Sequence, residues 1–182
     1  QCRPALAFRV SKLQTVSGKG CIKHLRECNK VLEYALSTSD EGIHFKSEGI
    51  GWDDAIVCNI ADASFGQEQQ LVGDELQDGR SQQGSIICLA PPDTVNAEEV
   101  VVHPICWRST VIPRVCKSTL MAETFSLGDA VDRGSRVRAA IVDMQGKLDA
   151  RNWESSAPHN MGHLWITDCD SLYENLASPR TN

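Results

Sequence analysis

Apolar residues recur at helical spacing early in the chain, gather into short continuous runs in its middle, and return to helical spacing after Ser118. Pro4 stands near the start of a first predicted helix spanning residues 3–14, with Leu6, Val10 and Leu13 along one face. A second helix is predicted from about Cys21 to Leu36, with Ile22, Leu25, Leu32 and Leu36 turned inward. The glycine-bearing stretch Ser17-Gly18-Lys19-Gly20 joins the two as a helical hairpin. Residues 37–42 then read as a turn, and Ile43-His44-Phe45 as a short extended piece leading to the next unit.

From Gly51 the pattern changes to strands, at 55–61, 84–90 and 100–107, with Pro91-Pro92 closing the second. Three such strands in succession make an antiparallel meander. A long helix follows from Ser118 to Met144, capped by Ser118 or Thr119, with Glu123 in its second turn. Its predicted apolar side carries Leu120, Thr124, Leu127, Val131, Val137, Ala140, Ile141 and Met144; Gly134 is a point for a bend and Gly146 a stop. A fourth strand at 164–167 and a short helix from Ser171, stopped by Pro179, complete an α/β pattern: one mixed sheet with flanking helices.

Two aspartates end apolar runs in this scheme. Asp62 follows Ala55-Ile-Val-Cys-Asn-Ile-Ala, and Asp168 follows Leu164-Trp-Ile-Thr, so both are expected at strand exits. Acids at the carboxyl edge of a sheet, beside small polar residues, suit a hard cation, which takes oxygen ligands. Each acid has a plainer reading: Asp62 and Asp168 as turn formers after strands, Glu123 as a solvated acid favoured by the helix dipole. Asp170 competes with Asp168 for the same role. Cys21, His24 and Cys28 share a helix face, and His159 and His163 have a ligand-like gap, yet neither set supplies four zinc ligands at finger spacing.

With 182 residues, 41% hydrophobic and 23% charged, the chain can bury one good core. It has no apolar run of membrane-spanning length and no signal-peptide succession, and its eight cysteines contain no C-x-x-C pair. Free thiols and an intracellular location are expected. The net charge of −6 is uneven: residues 1–48 and 107–152 are each net +3, residues 49–106 are −9 and residues 153–182 are −3. A basic face beside an acidic cation site fits this distribution, as do solvated loops of either sign. A Gly-x-Ser-x-Gly elbow and a phosphate loop are both absent.

Five stretches then occur in one order: Ile60-Ala-Asp-Ala-Ser-Phe, Gly79-Arg-Ser-Gln-Gln-Gly-Ser, Ile105-Cys-Trp-Arg-Ser, Arg114-Val-Cys-Lys-Ser-Thr-Leu-Met-Ala-Glu and Ile166-Thr-Asp-Cys-Asp-Ser-Leu-Tyr. This succession resembles the ribonuclease H domain of copia-type retrotransposon Pol polyproteins. Arg3-Pro-Ala-Leu-Ala-Phe-Arg-Val resembles the helix that ends the reverse transcriptase of those proteins, with Ala5 where an aspartate is usual. The resemblance implies a helical end of a reverse transcriptase over 1–48 and a ribonuclease H-like domain over 49–182. It implies magnesium or manganese as cofactor in a two-cation site, with Asp62 bridging both ions and Glu123 and Asp168 holding the second. Ser64, Arg108, Arg114, Lys117 and Ser118 would contact an RNA–DNA hybrid, and an upstream reverse transcriptase domain would be the other partner. The family's fifth strand and fourth carboxylate would lie past Asn182. A chain cut short there is expected to cleave poorly alone. The alternative is a decayed, inactive domain that tethers without cleaving.

Overall fold

The computed structural model describes residues 3–46, 49–72 and 75–178. Pro179 and Cys2 fall outside them. Two helices come first, α1 (Pro4–Thr15) and α2 (Ile22–Ser37). Strands β1 (Ile56–Val72), β2 (Glu75–Ala90) and β3 (His103–Val111) follow, then α3 (Thr119–Met144), α4 (Trp153–Asn160), β4 (His163–Ile166) and α5 (Asp170–Ala177). The sheet order is β3-β2-β1-β4, antiparallel except for the parallel pair β1/β4. This is a mixed sheet with flanking helices.

α3 lies across β1 and β2. Odd-numbered residues of β1 meet it, as strand alternation requires: Val57 packs with Ile141 and Val142, Ala61 with Leu127 and Ala130, and Ala63 with Ala122. Helix and sheet approach closely at Gly134, where a Cβ would overlap the Asn59 amide and fall 2.6 Å from His163 Nε2. Asn59 Nδ2 donates to the Ala130 carbonyl at 2.6 Å. Gly134 therefore lets the helix approach the sheet instead of bending it, and α3 runs unbroken to Met144. The expected stop holds: Gly146 takes φ +70° and the last carbonyls are closed by Gly146 N–H to Asp143 and Lys147 N–H to Val142. Three residues placed on the apolar side, Thr124, Ala140 and Met144, are exposed.

The β1/β2 ribbon extends far past the apolar runs, pairing as far as Val72↔Glu75. That pairing runs through backbone groups, which apolar alternation does not mark. Gly66, at φ +63°, lies in the register shift between Ser64 and Glu68. α4 occupies what reads as a polar stretch; only Ala157 of its residues is buried, too little to leave a helical period.

The hairpin forms as expected, with one correction. Arg3 donates to the Ala35 and Thr38 carbonyls at the end of α2, satisfying groups that a helix terminus leaves open. α1 packs against β3 of the same chain, burying Ala7 and Ser11, whose hydroxyl accepts from Gln82. α2, however, turns His24, Cys28, Val31 and Ala35 toward partial burial, while Ile22, Leu25, Leu32 and Leu36 are exposed instead of facing inward. None of the described helices is long and apolar enough to cross a membrane.

Candidate metal centre

Parallel pairing brings two aspartates together. The last β1/β4 pair is Ile60↔Ile166, and Asp62 and Asp168 each lie two residues beyond it. Adjacent strands run about 4.8 Å apart, so equal offsets past a shared pair leave the two acids abreast. Only Asp168 sits past a strand end. Asp62 lies inside β1, just past the end of β4, where the sheet narrows from four strands to three.

Glu123 reaches the same place from α3. Ser118 caps that helix, its hydroxyl accepting from Met121 N–H at 3.2 Å. One turn on, Glu123 is buried at 5% exposure, with Oε1 accepting from the Ala63 N–H at 3.3 Å. Asp62, Glu123 and Asp168 each present an oxygen, and these atoms lie within 4.8 Å of one another. Asp170 is not in the group; it opens α5 as that helix's first residue. Of the two acids between which the sequence leaves the choice open, Asp168 is the one that stands beside Asp62 and Glu123.

Burial, and then the charges of Asp62 and Asp168, push Glu123 up to about 6, against the opposing hydrogen bond from Ala63. None of the ion pairs within the described residues engages the three carboxylates. Three convergent oxygens and no neutralising side chain are what a small hard cation fits. Ligand oxygens at about 2.1 Å from magnesium stand about 3 Å apart when adjacent and about 4.2 Å when opposite. At least two of the three oxygen pairs must be adjacent around such an ion, so oxygens within 4.8 Å of one another would draw together on binding.

Ser126 is a supporting residue that the sequence pattern hides. It is fully buried one turn after Glu123, and its hydroxyl donates to the Asp62 carbonyl at 2.7 Å and the Gly84 carbonyl at 3.3 Å. The only signal is a small hydroxyl next to Leu127 on the face that packs on the sheet.

The other predicted site residues divide. Ser64 is half-buried on β1, two positions from Asp62 and so on the same side of the strand. Arg114 and Lys117 are exposed on the connection into α3, the Arg114 guanidinium 5.8 Å above the Phe125 ring. Ser118 is occupied as the cap. Arg108 lies away on β3, opposite Ser85, and pairs with Asp129 at 3.1 Å on the flank of α3.

Among the described residues no other group of three or more His, Cys, Asp or Glu side chains converges in this way. Cys21 and His24 do meet, at 3.4 Å, within the cap of α2. The described cysteines are free thiols, with Cys58, Cys88 and Cys116 buried; burial raises Cys58 and takes Cys88 up to about 11. No family model, curated protein or solved structure matches this chain.

Proposed function

We propose that this is a ribonuclease H-like nuclease domain that hydrolyses the RNA strand of RNA–DNA hybrids with magnesium or manganese. The observation that carries the reading is the convergence of Asp62, Glu123 and Asp168 from two parallel strands and a helix, with Glu123 buried. The resemblance in the order of five sequence stretches supplies the substrate class.

Asp62, Glu123 and Asp168 would hold the cation. When bound, it supplies Lewis-acid stabilisation of the charge that develops on the phosphodiester oxygens. The chain's own groups do the rest. Ala63 N–H fixes one oxygen of Glu123, which leaves the second free to turn toward the cation. Ser126, by tying the Asp62 carbonyl to α3, keeps the strand and the helix at a constant separation. Arg114 and Lys117, on the loop that leads into the site, would contact phosphates and position the backbone without reading sequence. Ser64 presents a hydroxyl on the Asp62 side of β1, suited to the 2′-hydroxyl that distinguishes RNA. Glu123 is ionised above about pH 6, so the site is ready for a cation at neutral pH.

The test is single-turnover cleavage of a hybrid labelled on either strand, with manganese, by the chain and by Asp62→Asn. The expected result is slow cleavage confined to the RNA strand and lost in the variant. Cleavage retained by Asp62→Asn, or none while cation binding is demonstrable, would refute the reading and favour a domain that tethers only.

A further inference from the structure

α2 carries a surface that the metal centre does not use. Ile22, Leu25, Leu32 and Leu36 are 72%, 63%, 56% and 74% exposed. At 100° per residue, these four side chains and Asn29 fall within an arc of about 80°. The neighbouring face is already occupied, because α1 holds it through Arg3 to the Ala35 and Thr38 carbonyls and through the Arg9 guanidinium 5.0 Å from the Tyr34 ring. The open stripe follows a 3-4-3-4 repeat (22, 25, 29, 32, 36), the spacing by which one helix packs along another.

The stripe is also close to palindromic about Asn29. Turned about a two-fold axis at that residue, a second α2 lays Leu36 against Ile22 and Leu32 against Leu25, and sets the two Asn29 amides together. It also places Glu33 beside Arg26, twice by symmetry. Both of these charged residues are exposed, and no ion pair among the described residues engages either. A parallel, in-register pair would instead put Arg26 beside Cys21 and Glu33 beside Cys28 of the second copy, leaving both charges without a partner. Charge complementarity therefore selects the antiparallel arrangement and, because both halves of it come from one sequence, selects a second copy of this chain as the occupant.

We propose that α2 is a self-association surface on which two copies dock antiparallel through Ile22, Leu25, Leu32 and Leu36, with Arg26 and Glu33 paired across the two-fold axis. One helical stripe per copy gives an interface at the small end of specific ones, so the dimer is expected to be weak. The contact is independent of the carboxylate cluster and persists in chelator.

Sedimentation velocity on the chain in EDTA, from about 5 to 500 µM, tests this. The expected result is a monomer that becomes a dimer across that range, abolished by Leu25→Lys with Leu32→Lys while far-UV circular dichroism is unchanged. Arg26→Glu alone and Glu33→Arg alone should each weaken the dimer at least tenfold, and the two together should restore it. A chain that stays monomeric at 500 µM overturns the proposal and leaves the stripe to a different protein. A dimer indifferent to Arg26→Glu, or one that the double swap fails to restore, overturns it as well.

Discussion

Replacing Glu123 by Gln removes one charge from a buried cluster while keeping an oxygen that can accept from Ala63 N–H. Glu123 is raised from 4.5 to about 6, so the folded chain holds this proton more tightly than the unfolded chain does. This group's contribution to stability is therefore fully present below pH 4.5 and is lost as pH rises through 6. That rise corresponds to about 2 kcal/mol. In EDTA at pH 7.5, Glu123→Gln should be more stable than the parent by about that amount, or about 4 to 8 °C in Tm for a chain of this size. At pH 4 the two should melt together. Magnesium narrows that difference, because a ligand at 100 times its Kd adds about 2.7 kcal/mol to the parent and, at a tenfold weaker Kd, about 1.4 kcal/mol to the variant. Urea melts at both pH values, with and without the cation, measure all four states. A variant that is less stable than the parent at pH 7.5 in EDTA would refute the reasoning and make Glu123 a structural partner of Ala63.

Gly134→Ala should destabilise the protein by about 1 to 3 kcal/mol in denaturant melts, because its Cβ meets the Asn59 amide and His163, and the gain of about 1 kcal/mol in helix propensity does not offset that. Asp168→Asn should lower magnesium affinity at least tenfold in a calorimetric titration, whereas Asp170→Asn should leave it within twofold of the parent. His163, held down at about 4 by burial and the nearby Arg138, takes up its proton in the unfolded chain first, so stability falls as pH drops through 6.5 toward 4; His163→Gln should flatten that loss in melts at pH 7 and 4.5.

The central elements could be read from the sequence because burial leaves a period. α3 shows its cap at Ser118 and its stop at Gly146, and the strands around Val57 and Ile87 show as apolar runs because both faces of the sheet are covered there. The rest left weaker traces. Past Ser64 the pairing of β1 with β2 continues to Val72↔Glu75 through backbone hydrogen bonds, which local sequence pattern does not mark. The stripe on α2 has the same spacing as a buried face, and periodicity cannot tell a face covered by its own chain from one left open. In the site, Asp62 and Asp168 were legible as acids after apolar runs. Their convergence depends on the Ile60↔Ile166 register, a long-range pairing that local pattern does not contain. Arg108 has the composition of a phosphate contact, but its place on β3 and its pairing with Asp129 depend on long-range strand order.

The claim that three carboxylates form one cation site is tested most directly by calorimetric titration of magnesium, and separately manganese, into the chain at pH 7.5. The parent should bind with a defined heat, and Asp62→Asn, Glu123→Gln and Asp168→Asn should each lower the affinity at least tenfold. Because Glu123 must lose its proton, affinity should also fall as pH drops below about 6. Absence of binding by the parent, or binding that survives all three substitutions unchanged, would contradict it.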